Sequence, residues 1–235
     1  MIIPAIVSRS DWLEARKQLL AEEKAFTRQR DELSAKRRQL PWVKIEKDYR
    51  FQSPEGEAKL SDLFGNSSQL IVQHFMLGEG WDAGCPSCSF WADGFDGTTV
   101  HMNQRDAAFV AVSSAPLPEI QAFKSRMGWR FDWVSCHGGD FNRDFHVSFT
   151  PEELSAGAVE YNFSKINFPA TEAPGVSVFC KADDGTIYHT YSCYARGLDM
   201  LNSTYQYLDL LPKGRDEDGL SHTMSWVRRH DEYEG

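Results

Sequence analysis

Basic residues are in deficit. The 235-residue chain sets 25 Lys and Arg against 34 Asp and Glu, a formal net charge of −9 at pH 7, and no strongly basic stripe is available to neutralise phosphates, which argues against a nucleic-acid partner. Long apolar runs are missing as well. Only Met1 to Val7 is apolar at the start, with no charged stretch before it and no small-residue cleavage pattern. Neither a signal peptide nor a membrane span is expected, and the expected address is the cytoplasm. Cysteine is scarce: five, an odd number in so large a chain, do not read as a secreted disulfide framework and fit a compartment that keeps thiols reduced. There is no internal repeat, no low-complexity segment and no linker rich in Pro, Gly or Ser. What remains is the composition of a folded protein, 41% hydrophobic and 13% aromatic, enough for a full core.

Two of the scarce cysteines stand together in Trp81-Asp82-Ala83-Gly84-Cys85-Pro86-Ser87-Cys88-Ser89-Phe90-Trp91, directly behind the apolar run Leu70 to Leu77. If that run is a buried strand and a helix starts at the cysteines, Cys85 sits at a helix N-terminus, where amide N–H groups and the macrodipole favour thiolate over thiol. Cys85 then attacks a disulfide and Cys88 resolves the mixed disulfide. The alternatives are half a zinc site or two core cysteines. Zinc needs four ligands, and Cys136 with His137 would complete the set only by tertiary contact, so no metal is expected. His137-Gly138-Gly139-Asp140 lacks the spacing and the lysine of a phosphate loop, and no other cofactor motif is present.

Along the chain, Ser8 or Ser10 caps a helix with Trp12, Leu19, Phe26, Leu33 and Leu40 at intervals of seven, stopped by Pro41. It reads as an arm of the domain or as an element joining a homodimer. Val43-Lys44-Ile45 and Tyr49-Arg50-Phe51, before Ser53-Pro54-Glu55-Gly56, suggest a hairpin, with a helical turn near Leu60 to Phe64. The apolar run Leu70 to Leu77 lacks alternation, as expected of a strand covered on both faces. A crossover helix from Ser89 to Arg105, broken near Gly94 and Gly97, leads to a parallel strand at Ala108 to Val112. A helix carrying Ile120, Phe123 and Met127 follows, then a third strand at Trp129 to Trp133. The region 135–172 reads as an insertion, with a strand expected at Phe145 to Phe149. Val176 to Cys180 and Thr186 to Tyr191, joined by Asp183-Asp184-Gly185, form the clearest hairpin. Leu198, Leu201, Tyr205 and Leu208 share a helical face, and 211–235 is a charged extension. His189, Tyr191, Tyr194 and Arg196 pack at a sheet edge or rim a substrate site, and Arg228 to Glu232 pairs with charges elsewhere on the protein or clasps a second subunit.

That order of elements, with Pro174 just ahead of the hairpin, resembles the thioredoxin fold. More closely, the chain resembles the bacterial thioredoxin-like family catalogued as domain of unknown function 899, whose members are labelled predicted dithiol-disulfide oxidoreductases. The matching runs include Leu40-Pro41-Trp42-Val43, His74-Phe75-Met76, Trp81 to Pro86, Cys88 to Asp93, Arg126-Met127-Gly128-Trp129, Tyr194-Ala195-Arg196-Gly197 and Arg228-Arg229-His230-Asp231. The resemblance implies an α/β thioredoxin-like fold over 42–235, a central mixed sheet flanked by helices, with the helical arm at 1–41. It implies Cys85 as attacking cysteine, Cys88 as resolving cysteine and Pro174 as a cis-proline facing them, with Trp81, Phe90 and Trp91 as substrate walls. The buried acid that accepts a proton in thioredoxin has no counterpart, and Asp82, Glu79 and His74 are substitutes by proximity only. A peroxiredoxin-like site would need a threonine ahead of the cysteine, and none precedes Cys85 or Cys88. The implied partners are a protein or small-molecule disulfide or thiol and an external reductant. A non-catalytic thioredoxin-fold binding module is the competing reading.

Overall fold

The computed structural model describes residues 4–234. It divides into two units, 1–41 and 42–235. The first contains one long helix, α1 (Arg9–Arg37), opened by Ser8, whose hydroxyl accepts from the Asp11 N–H at 3.2 Å. None of its residues is buried, and Trp12, Leu19, Phe26 and Leu33 all stand exposed. Ion pairs such as Arg16–Glu23 at 2.8 Å and Lys17–Glu14 at 2.8 Å lie along it.

The second unit is built on an eight-stranded mixed sheet. Its strands are β1 (Val43–Lys44), β2 (Arg50–Ser53), β3 (Gly56–Lys59), β4 (Gln69–His74), β5 (Ala107–Ser113), β6 (Asp132–Ser135), β9 (Gly175–Lys181) and β10 (Ile187–Tyr194). Their spatial order is β1-β10-β9-β4-β5-β6-β2-β3. β4, β5 and β6 run parallel, and the long connections between them carry helices, as parallel pairing requires. β9 returns antiparallel beside β4 and pairs with β10 through the turn at Gly185, whose φ of 84° is readily adopted only by a residue without a Cβ.

The crossover after β4 is broken as expected: α2 (Pro86–Phe95) and α3 (Thr99–Asn103) flank Gly97. α4 (Leu117–Met127) buries Ile120, Phe123 and Met127. Alternation along β4 separates two cores. Leu70, Val72 and His74 face a cluster with Phe141, Phe145 and Phe179, while Phe75 meets Phe123, Trp129 and Trp133 in a second cluster that also holds Trp91 and Phe95 of α2. With both faces covered, the strand shows no polar alternation. This is the thioredoxin-like α/β architecture.

Three expectations change. Val43–Lys44 does not pair with its neighbour in sequence; it crosses to the far edge and pairs with His189 and Tyr188 of β10. The hairpin is instead β2 with β3, turned at Pro54 and Glu55. Phe145 to Phe149 is not a strand, because Phe145, Val147 and Phe149 point into the core from an irregular segment held by one bridge, Ser148 with Glu172. The rest of the inserted region holds α5 (Phe141–Asp144), α6 (Pro151–Ser155) and a separate hairpin of β7 (Val159–Tyr161) and β8 (Ser164–Ile166). α7 (Ser203–Leu208) follows the 3-10 turns after β10.

Candidate active site

Cys85 is the N-cap of α2, with Pro86 at the first helical position, where a missing N–H costs nothing. The loop ahead of it is clamped. The Cys85 N–H donates to the Met76 carbonyl at 3.0 Å, and Arg229 donates through Nε and an Nη to the Gly84 carbonyl at 2.9 and 2.7 Å. Gly84 sits so tightly that an added Cβ would lie 2.6 Å from both the Phe75 and Phe123 rings. Behind the cysteine, the Ser89 hydroxyl and N–H both donate to the Cys85 carbonyl, at 2.9 and 3.0 Å, closing the first turn. Arg229 is itself fixed by Glu232 at 2.7 Å, and Arg126 by Asp231 at 2.7 Å. The terminal charged segment thus pairs within the chain and braces the cysteine loop.

Both thiols are free, Cys85 half-buried and Cys88 buried. The Cys88 thiol donates to Cys85, and the N–H groups of Cys88 and Ser87 add to it. Against the opposing effect of burial, these donors hold the Cys85 thiol well below its ordinary value, down to about 6. Cys88 is pushed the other way, because ionising would give up its bond to Cys85 in a buried position beside that charge. One turn of helix therefore separates a thiol that ionises easily from one that keeps its proton.

A cavity of about 380 Å³ opens beside the pair, lined by Cys85, Cys88, Ser87, Trp91, Pro174 and, from the far side, residues of 195–202, Tyr205, Thr223 and Met224. Of the expected aromatic walls only Trp91 lines it. Phe90, one position earlier and so rotated about 100° around the helix, packs on Tyr205 and Trp226 at 5.5 and 5.6 Å. Trp81 lies against Gly78 outside the cavity. Pro174 is in the expected place, yet among the described residues no peptide bond is cis. Trans is the intrinsically preferred isomer of an X–Pro bond, and neighbouring hydrogen bonds hold this stretch as it stands. Ala173 N–H donates to Val147 at 2.8 Å, and the Tyr161 hydroxyl donates to the Pro174 carbonyl at 2.8 Å.

His74 is no proton acceptor for the dithiol. Its ring stacks with Phe141 and Phe145 in the opposite core, bonded to Asn142 and Ser177 at 2.9 Å each, and burial lowers it to about 4. Glu79 and Asp82 do not line the cavity. The buried acid is Glu172, pushed up by burial to about 7 and held by Ser114 and Ser148 at 2.7 Å each. It too lies away from the cysteines' cavity. Of the polar-aromatic group after the hairpin, Arg196 lines the cavity, whereas Tyr194 is buried and donates to the Phe145 carbonyl at 3.1 Å. Cys136 is buried in the core that holds Phe141, and among the described residues no group of three or more His, Cys, Asp or Glu could hold a metal.

Sequence reasoning did not assign Met76, Leu198 or Asn202 to the site and left the partner of Arg229 open. Each reaches the cysteine loop or its cavity only through the fold.

The model of the family described as "Bacterial protein of unknown function (DUF899)" matches residues 1–233. The chain belongs to that family. No curated protein matches it. Among solved structures, peroxidoxin BcpB from Mycobacterium tuberculosis is 13% identical, with a TM-score of 0.47 over 72% of this chain and 97% of that one. A cysteine-to-serine mutant of peroxiredoxin Q from Xanthomonas campestris is 11% identical, with a TM-score of 0.46 over 72% and 98%. A candidate thiol:disulfide interchange protein DsbE from Chlorobium tepidum is 13% identical, with a TM-score of 0.41 over 72% and 97%. No helix of the described residues is long and apolar enough to cross a membrane.

Proposed function

We propose that this protein is a thiol–disulfide oxidoreductase working through Cys85 and Cys88. The observation that carries the reading is the asymmetry of the pair. Cys85 heads α2 with its thiol lowered and facing a cavity, and Cys88, one turn on, is buried, protonated and bonded to it. The Cys85 thiolate attacks a substrate disulfide RS–SR, forming Cys85–S–S–R and releasing RS⁻, which takes up a proton. With Cys85 now bonded, the charge that kept Cys88 protonated is gone. Cys88 loses its proton and attacks the Cys85 sulfur, closing the Cys85–Cys88 disulfide and releasing the second RSH. Two electrons pass to the substrate, and an external dithiol returns them. A reducing compartment such as the cytoplasm keeps the pair in its dithiol form. Pro174 and Trp91 are the walls against which the substrate sulfur is positioned.

The test is the pH dependence of Cys85 alkylation together with turnover of a disulfide reporter, with Cys85→Ser as control. An alkylation midpoint near the free-cysteine value of about 8.5, with no Cys85-dependent turnover, would favour a binding module whose cysteines are incidental.

A further inference from the structure

Among the described residues, the cavity beside the dithiol is lined by one buried polar side chain whose acceptor the fold leaves unused. Asn202 is 7% exposed, and its Oδ1 is buried with no hydrogen-bond partner. It stands as the N-cap of α7, where an asparagine oxygen ordinarily accepts from the first-turn N–H groups, yet no such bond is made. Native proteins rarely leave a buried acceptor unpaired, because it has given up water and gained nothing. Asn202 is among the residues lining the same cavity as both cysteines, and its terminal torsion is soft and nearly two-fold. The amide oxygen is therefore able to turn toward a donor lying there.

The other walls narrow the kind of donor. Met76, Trp91 and Leu198 make the cavity mainly apolar, with Arg196 at its edge, its side chain 75% exposed. The neighbouring acid is already neutralised: Arg215 reaches Asp199 at 2.6 and 3.0 Å, whereas Arg196 comes only to 3.5 Å. Arg196, in this longer ion pair with Asp199, is thus the more loosely held cation at the cavity. A volume of about 380 Å³ lies at the small end of small-molecule sites. An apolar pocket holding a thiolate, an N–H acceptor and a carboxylate-binding cation matches an amino-acid-type thiol.

Resting on the oxidoreductase reading above, we propose that the substrate is a low-molecular-weight disulfide of an amino-acid-type thiol, with an N–H bonded to Asn202 and a carboxylate met by Arg196. The redox step is the one already given: the dithiol loses two electrons and two protons, and the small disulfide becomes two thiols.

Single-turnover oxidation of the pre-reduced full chain tests this, with loss of the dithiol followed by quenched alkylation and mass spectrometry. N,N′-diacetyl-L-cystine carries the N–H and the carboxylate. 3,3′-Dithiodipropionate carries the carboxylate alone, and bis(2-hydroxyethyl) disulfide carries neither amide nor charge. The wild-type protein is expected to react with the acetylated compound on the order of tenfold faster than with dithiodipropionate, the usual scale for one hydrogen bond to a buried group. Asn202→Leu should bring that ratio to about one, with an unfolding temperature equal to or above wild type because the orphan acceptor is gone. Arg196→Ala, at an exposed position, should slow both carboxylates relative to the hydroxyethyl compound. A wild-type ratio near one, an Asn202→Leu protein that slows both carboxylates equally, or an Arg196→Ala protein with unchanged carboxylate preference overturns the inference. In those cases Cys85-dependent reduction of a protein disulfide by the same sample would leave the oxidoreductase reading standing. A dithiol that no disulfide oxidises overturns both.

Discussion

Replacing Cys88 by alanine removes the strongest of the influences that lower the Cys85 thiol, the S–H donated from Cys88, and leaves the helix N-terminus with the N–H groups of Ser87 and Cys88 in place. Cys85 should then titrate at least one pH unit higher. Each unit corresponds to about 1.4 kcal/mol of differential stabilisation of the thiolate, a fair magnitude for one hydrogen bond to a charged acceptor. At pH 7 a thiol titrating at about 6 is roughly nine-tenths ionised, one titrating one unit higher roughly half and one titrating two units higher roughly one-tenth, by the ordinary titration relation. Alkylation of Cys85 at pH 7 should therefore slow by about twofold for a one-unit rise and about tenfold for a two-unit rise in Cys88→Ala. Cys88→Ser keeps a hydroxyl donor at the position and should keep the low midpoint. The assay is iodoacetamide alkylation from pH 4 to 10, read at Cys85 by peptide mass spectrometry so that the half-buried Cys180 does not contribute. The linked stability has a definite sign. The folded-state value is depressed, so the reduced wild-type protein holds this stabilisation above the unfolded value near 8.5 and loses it as pH falls through about 6. A Cys88→Ala midpoint equal to wild type would refute the reasoning and assign the depression to the helix terminus alone.

Glu172 works in the opposite sense. Burial raises it to about 7, so its contribution to stability is full below its unfolded value of about 4.3 and is lost as pH rises through the folded value. Glu172→Gln should flatten the fall in denaturant stability between pH 5 and 8, and an unchanged slope in urea melts would contradict this. Gly84→Ala drives a methyl to 2.6 Å from Phe75 and Phe123. It should cost about 1–3 kcal/mol by overpacking and raise the reactivity spread of Cys85, checked by thermal melting and alkylation on the same sample. Arg229→Ala removes both donors to the Gly84 carbonyl and should cost about 1.5–3 kcal/mol, as for hydrogen bonds from a charged group. Hydrogen exchange should rise across 78–85, and exchange confined to the C-terminus would argue against the clamp.

Local chemistry reached far into this protein. The unalternating run at Leu70 to Leu77, the crossover broken at Gly97 though not at Gly94, which stays inside α2, and the Asp-Gly turn before Thr186 each carry their structure in a few neighbouring residues, because strand burial, helix breaking and tight turns are short-range matters. The Cys-x-x-Cys and its place at a helix start were readable for the same reason. The family resemblance located Pro174 opposite, though not the isomer of its peptide bond. What lay beyond reach depends on contacts between positions far apart in the chain. Val43 pairs with His189 at the sheet edge opposite β2 and β3, a partner no hairpin rule could select over the strand nearer in sequence. Phe145 to Phe149 has the alternation of a strand and is buried, but no strand offers it a continuous edge to pair with.

The same division runs through the site. A sequence determines which side chains can ionise, bond or break a helix, and those properties marked Cys85 and Cys88 as the pair proposed to react. It does not determine which distant segments close around them. Asn202 and Arg196 become cavity walls, Arg229 a brace 145 residues from Gly84, and Phe90 a packing residue, only once β9, β10 and the C-terminal segment fold back over α2. The energy that sets those positions is spread over two cores and many contacts, none of them encoded at any one of these residues.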